Sequence, residues 1–344
     1  MADTYWSDAE DRKLLRMYCA EEPPRTIREI ADDLERSKSA VDRRITALGL
    51  RGFKGDRRHY EEHTGVSLDA AIRPVRVNVP ILPTGKALGT SHSTLVWSDV
   101  HYPFQDDRAL SVLRQVARDL QPDTLVCAGD IFDWWELTDF RASAEVDEDM
   151  QGTLNKGVEH LADMLSVAKP SVAYFLGGNH EDRWDRLLLK ARKDPRFRQL
   201  LSLPKVRRSL DFAEVVGFKE LGYDYRPYVE GEYLIEHDKL LYTHGDRTGN
   251  WVAKGMLEKY GKNVIFGHMH RVQNYTKRDL KGQEAGWCIG CLCNLDVHYD
   301  SFTNWHHGFA IVNWSEVDGE WLFSVEQIRI HDGTAIWRDK VYRG

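Results

Sequence analysis

Thr124-Leu125-Val126-Cys127-Ala128-Gly129-Asp130-Ile131-Phe132-Asp133 runs from a short apolar segment straight into a polar turn. Residues 124–127 are too few for a helix and read as a buried strand. The glycine and two carboxylates that follow stand where open α/β sheets place their ligand crevice. The pattern recurs on both sides. Thr94 to Trp97 leads into Ser98-Asp99-Val100-His101, and Val172 to Leu176 into Gly178-Asn179-His180-Glu181. Lys239 to Tyr242 leads into Thr243-His244-Gly245-Asp246, and Asn263 to Phe266 into Gly267-His268-Met269-His270. Helical patterns over Ala109–Leu120 and Leu154–Val167, and a basic helical stretch from Arg183 to Arg198, lie between these strands. Such alternation predicts βαβ units and a largely parallel sheet. Further on, Phe309–Trp314, Trp321–Ile330 and Ile336–Tyr342 read as strands joined at Asp318-Gly319 and Asp332-Gly333. Asp-Gly turns make hairpins, so this tail is expected to form a second, antiparallel sheet.

Taken singly, each polar cluster is a weak signal, since a lone Asp-x-His is most often a surface turn. Residues two apart in a strand point to one side, so Asp99 and His101 could offer an oxygen and a nitrogen to one ion. All five clusters, in this order, resemble the calcineurin-like metallophosphoesterases, whose pattern is Asp-x-His, Gly-Asp-x-x-Asp, Gly-Asn-His-Asp/Glu, His and Gly-His-x-His. The resemblance spans about residues 92–315. It implies a four-layer αββα sandwich of two mixed sheets, with two metal ions at one end. By that resemblance Asp99, His101, Asp130 and His270 would hold one divalent ion. Asp130, Asn179, His244 and His268 would hold the other, with the Asp130 carboxylate bridging. Mixed imidazole and carboxylate ligands suit Mn²⁺, expected first, or Fe or Zn. The implied activity is phosphoester hydrolysis by a metal-activated hydroxide. His180 would be the general acid beside the metals, oriented by Asp133.

Protein phosphatases of this superfamily place an arginine directly after Asp-x-x-Asp, where Trp134 stands here. Losing that clamp favours a phosphodiesterase or nuclease, on nucleic acid or nucleotides, over a phosphomonoesterase. The pair Trp134-Trp135 reads as core packing before it reads as a base-stacking surface. The basic run of Arg183, Arg186, Lys190, Arg192, Lys193, Arg196 and Arg198 is either a solvated helix face or a nucleic-acid contact. Cys288, Cys291 and Cys293 lack a second cysteine pair and read as buried free thiols. His306 and His307 read as structural or rim residues.

Ahead of this domain, residues 1–54 read as three short helices. Ser7 caps the first, which carries Leu14, Leu15 and Tyr18 and stops at Pro23-Pro24. Thr26 and Glu29 form a capping box for the second, and Ser37 or Ser39 caps the third. Val41, Ile45 and Leu48 face inward on the third helix, which Gly49 closes. The pattern matches a helix-turn-helix or Myb-like DNA-binding module, with a protein-docking domain as the alternative. Lys38, Arg43 and Arg44 are its candidate nucleic-acid contacts. A third functional reading is a DNA-bound regulator that senses a nucleotide. Residues 55–91 read as a linker with a strand at Val75, Val77 and Val79, and 92–344 as the catalytic domain.

The net charge of -7 argues against an all-over nucleic-acid coat. Apolar content of 42% and charged content of 29% suit a soluble globular protein. There is no membrane-spanning run and no signal-peptide pattern at the start, and five cysteines fit a reducing cytoplasm. Oligomeric state is not legible.

Overall fold

A computed structural model describes residues 8–20, 25–48, 50–64, 91–138, 149–228, 233–279, 282–296 and 303–344. The chain divides into two compact units, Met1–Asn78 and Val79–Gly344. The expected strand at Val75–Val79, the Ser7 cap, Pro23-Pro24 and Gly49 lie outside the described residues.

In the first unit, α1 (Asp8–Leu15) continues into a π-helical turn, Arg16–Ala20. It is followed by α2 (Ile27–Asp33), α3 (Lys38–Ala47) and α4 (Arg57–Thr64). Thr26 and Glu29 make the capping box, and Ser37 rather than Ser39 caps α3. Leu14, Ile30, Val41 and Ile45 are fully buried together with Phe53. Leu48 does not face inward: it is the C-cap residue and is 38% exposed. The segment read as a linker from residue 55 begins instead with α4, which the fading apolar periodicity hid.

The second unit contains, in chain order, β1 (Ser91–Trp97), β2 (Thr124–Cys127), β3 (Val172–Leu176), β4 (Asp224–Arg226), β5 (Leu234–Glu236), β6 (Leu240–Thr243), β7 (Asn263–Phe266), β8 (Val272–Asp279), β9 (Gly282–Ile289), β10 (His307–Val317), β11 (Glu320–Ile330), β12 (Thr334–Trp337) and β13 (Lys340–Arg343). The principal helices are α5 (Asp107–Leu120), α6 (Met150–Ala168), α7 (Asp182–Ala191), α8 (Pro195–Leu201) and, after several short turns, α9 (Val252–Tyr260). One sheet has the order β11-β10-β1-β2-β3-β4 and the other β5-β6-β7-β9-β8. Both are mixed: β1, β2, β3 and β4 run parallel with antiparallel β10 beyond β1, and β6, β7 and β9 run parallel with antiparallel β5 and β8 at the edges.

Three apolar layers hold these elements together. Leu95 and Trp97 of β1 face a core shared with Val112 and Val116 of α5 and Leu161 and Met164 of α6. Val96, between them in sequence, faces the other way and packs with Tyr242, Ile265 and Trp314 between the two sheets. Leu241, Val264 and Phe266 meet Val252 and Met256 of α9 on the far face. The period-2 alternation of strand side chains thus builds the αββα sandwich.

Three expectations for this unit are corrected. The tail hairpin β10–β11 pairs with β1 and extends the first sheet instead of building a second. An Asp-Gly turn specifies a hairpin but not the strand it joins. The run 336–342 is a hairpin, β12–β13, turning at Arg338-Asp339 with φ of 48° and 60°. The basic stretch is also two helices, because Asp194 caps a new one with Pro195 in its first turn.

Candidate metal centre

The loops after β1, β2, β3, β6 and β7 converge at the carboxyl ends of both sheets. Their backbones are interlocked: Asp99 N donates to Gly129 O at 2.9 Å, His101 N to Asp130 O at 3.0 Å, and Gly267 N to His244 O at 2.9 Å. Asp99, His101, Asp130, His268 and His270 all have left-handed φ, between 53° and 68°. Each such residue stores strain of order 1–3 kcal/mol, which persists where surroundings over-determine it. Strand alternation is therefore not what brings Asp99 and His101 together. β1 ends at Trp97, and the two side chains meet because the chain beyond it is left-handed at both positions.

Asp99 with His101 and His270, and Asp130 with His244 and His268, form two groups of ligating atoms, and His180 comes within the same reach of His101 and Asp130. Asp99 Oδ1 lies 3.2 Å from His270 Nε2 and 3.8 Å from His101 Nε2. Asp130 Oδ2 lies 3.1 Å from His244 Nε2 and 3.7 Å from His101 Nε2, so this carboxylate faces both groups. Asn179 Oδ1 is 3.0 Å from His244 Nε2 and 2.6 Å from His268 Nδ1.

The arrangement fits a pair of cations. His244 Nδ1 donates to Ala128 O at 2.7 Å and His101 Nδ1 to Asp133 Oδ2 at 3.0 Å, which leaves each Nε2 lone pair pointing inward. His101 Nε2 and His270 Nε2 face each other at 3.0 Å beside Asp99, a convergence of lone pairs that a metal ion satisfies. The motif glycines make room for the ligands. A Cβ on Gly178 would stand 2.1 Å from Asp130 Oδ1, and one on Gly267 2.2 Å from Asp99 Oδ2.

Electrostatics in the metal-free protein follow from this crowding. Burial alone would raise the Asp99 and Asp130 carboxyls, but neighbouring histidines hold both below the ordinary range. Burial would likewise lower His244 and His270. Asp130 beside the first, and Cys293 with Asp99 beside the second, outweigh it and push each up to about 9. His268 goes the other way, to about 4, through burial and the neighbouring His244.

Around the ligands, Asp133 serves two histidines. Its Oδ2 is 3.0 Å from His101 Nδ1 and 3.2 Å from His180 Nδ1, and the latter also donates to Asp133 O at 2.9 Å. Three further residues stand at the site that were not assigned a role from sequence. Glu181, buried, accepts from the amides of Asp130, Ile131, Phe132 and Gly178 at 2.7–3.1 Å. The Arg183 guanidinium sits against Asp133 and His180. Trp305 packs its ring edge-on against His270, 4.2 Å between centroids. Glu181 and Arg183 were visible in sequence as motif and basic run, but their partners lie on another loop. Cys288, Cys291 and Cys293 are buried free thiols, with Cys293 Sγ 3.8 Å from His270 Nδ1. His307 is buried, its Nε2 2.7 Å from Cys293 O, and His306 donates its backbone N–H to His270 O at 2.7 Å. Trp134 is a core residue, 1% exposed and stacked on Phe132. Lys38, Arg43 and Arg44 belong to the other unit. Among the described residues no helix is long and apolar enough to cross a membrane.

The Calcineurin-like phosphoesterase family profile matches residues 92–272. The "Gene 54 protein" of Mycobacterium phage L5 is 25% identical over 250 residues, 67% of this chain and 91% of that protein. Among solved structures, Vacuolar Protein Sorting 29 from Cryptosporidium parvum superposes with a TM-score of 0.34 at 13% identity, covering 70% of this chain and 99% of that one. Pseudomonas putida nuclease MPE does so with a TM-score of 0.29 at 12% identity, covering 73% and 86%.

Proposed function

The chain belongs to the calcineurin-like phosphoesterase family, and from that premise we propose that it is a dinuclear-metal phosphodiesterase acting on nucleic acid or nucleotides. The observation that carries this reading is the Asp130 carboxylate, which faces both ligand groups, 3.1 Å from His244 and 3.7 Å from His101. Two divalent ions there, Mn²⁺ foremost, would supply Lewis acidity and an activated water. Asp99, His101, Asp130 and His270 would hold one ion, and Asp130, Asn179, His244 and His268 the other. His180 would give a proton to the leaving oxygen, with Asp133 fixing its ring through Nδ1. To do so His180 must carry a proton on Nε2, the nitrogen that faces Arg183 in this structure.

Diester over monoester is favoured by Trp134. It fills the place of the phosphatase arginine and is buried in the core, so it offers no cation to a terminal phosphoryl group. Nucleic acid is favoured by the basic face of α7 and α8, where Arg186, Lys190, Arg192 and Arg198 are exposed. The test is a panel of phosphate monoesters, diesters, cyclic nucleotides and DNA assayed with Mn²⁺. Bis(p-nitrophenyl) phosphate should be cleaved at least as well as p-nitrophenyl phosphate. A large preference for the monoester would put a phosphomonoesterase in first place.

A further inference from the structure

We propose that Arg183 is the phosphoryl-binding arginine of this site, supplied from the first turn of α7 in place of the arginine that Trp134 displaces. The proposal rests on the phosphoesterase reading above and adds to it the group that grips the substrate.

Arg183 stands three residues after His180, and its backbone N–H donates to His180 O at 3.1 Å. Its side chain turns back across the site. Nη1 donates to Asp133 O at 2.8 Å and to Asp133 Oδ1 at 3.3 Å. Nη2 lies 3.2 Å from His180 Nε2, and that nitrogen is itself 3.9 Å from Asp130 Oδ2. The guanidinium is therefore one imidazole away from the carboxylate that faces both ligand groups. Held by Asp133 on one side, it is aimed rather than free to swing.

Chemistry then decides what it can do. A guanidinium has five N–H donors and no acceptor, and it stays charged at any working pH. Asp133 takes Nη1, while Nη2 can donate to His180 only when that Nε2 carries no proton, so a His180 protonated to act as acid releases Nη2. Among the described residues Nε has no partner. The side chain is 24% exposed, so an acceptor entering the site can reach it. A phosphoryl oxygen is such an acceptor, and planar paired N–H groups match it. Trp134, by contrast, buries its ring on Phe132, and its Nε1 has no partner among the described residues.

The rival role for Arg183 is to hold the His180 ring without touching substrate. The two roles separate on binding. Inorganic phosphate should be titrated calorimetrically into the Mn²⁺-loaded full chain, alongside KM and kcat for bis(p-nitrophenyl) phosphate. Arg183→Ala should weaken phosphate binding and raise KM by ~10- to 100-fold, the scale of one or two charge-assisted hydrogen bonds, with metal content unchanged. Arg183→Lys, which keeps the charge but not the fork, should fall between them and guards against a variant that fails to fold. Phosphate affinity and KM unchanged in both variants, with only kcat reduced, would overturn the clamp and leave a positioning role. Loss of metal from Arg183→Lys would overturn it as well. A metal-loaded wild-type chain that neither binds phosphate nor cleaves any ester would instead sink the phosphoesterase reading, and the clamp with it.

Discussion

The Glu181 carboxylate accepts the Asp130 amide at 2.8 Å, and this one bond ties the loop after β3 to the loop after β2 at the candidate metal centre. The same side chain takes the amides of Ile131, Phe132 and Gly178, so a single buried acid sets the path of both loops. Its acid is pushed up by burial and by the Asp130 charge, while the backbone amides pull it back down.

Replacing it should therefore damage the scaffold before the chemistry. Glu181→Ala would leave four inward-facing N–H groups without an acceptor, each costing about 1–3 kcal/mol. We expect a loss on the order of 3 kcal/mol or more in denaturant unfolding, together with weaker metal retention. A variant of wild-type stability that keeps its metal would show that water substitutes for the carboxylate at no cost.

Metal binding and protons should compete at His244 and His270. Both sit at about 9 in the metal-free protein, above the ordinary 6.5, and must lose protons to ligate. Metal affinity should accordingly weaken as pH falls below about 9, with proton release on binding at pH 7. The metal-free protein has the opposite slope. A histidine raised on folding contributes stability that is full below pH 6.5 and lost as pH rises through about 9. Calorimetric titration with Mn²⁺ and thermal unfolding of the apoprotein, both across pH 6–9.5, check the two signs. His268→Ala and Asp130→Asn should each lower bound metal and activity together. Full activity in excess chelator, with an empty protein confirmed by metal analysis, is the result that would rule out metal-dependent hydrolysis.

His180 should behave differently from those ligands. His180→Ala should keep the metals and lose ~10²–10⁴ in rate, the scale of general acid catalysis. The deficit should shrink for esters with good leaving groups, which need less protonation. Should the variant lose its metal instead, the imidazole is a ligand and another group carries the proton.

Much of the catalytic unit was readable because its strands are buried on both faces. Thr124–Cys127, Val172–Leu176 and Asn263–Phe266 stand at their expected limits, each a plain apolar run stopped by polar residues. β8, Val272–Asp279, carries Gln, Asn, Lys and Arg on an edge of the second sheet, and nothing in its local pattern marks it as a strand. The pairing of β10 with β1 joins residues more than two hundred apart, a choice that no turn sequence encodes. Of the residues picked from strand ends, Asp99, His101 and His270 bring their ligating atoms within 4.8 Å of one another, as do Asp130, His244 and His268. The contacts of Glu181 and Arg183 were not legible, since a side chain's type does not say which remote backbone it will meet.

The least direct expectation concerns the amino-terminal unit, for which we propose duplex DNA as the partner. Support comes from the capped α2 and α3 and from Lys38 and Arg43, both exposed on α3. Arg44 is occupied differently. Its guanidinium makes a two-point ion pair with Asp11 of α1, with Nε to Oδ1 at 2.7 Å, so it braces the helices of the unit. The three cations should therefore separate in the full-length chain. Lys38→Ala with Arg43→Ala should weaken DNA binding and flatten its salt dependence by about two counterions, leaving small-diester hydrolysis unchanged. Arg44→Ala should instead lower the stability of the first unit, by about 1 kcal/mol for a half-buried pair, with a smaller effect on the salt slope. Fluorescence anisotropy with a labelled duplex at several salt concentrations reads the first effect, and thermal unfolding reads the second. If Lys38→Ala with Arg43→Ala leaves both the affinity for duplex DNA and its salt dependence unchanged, the unit is a protein-docking domain, and nucleic-acid recognition would rest on the basic face of α7 and α8 alone.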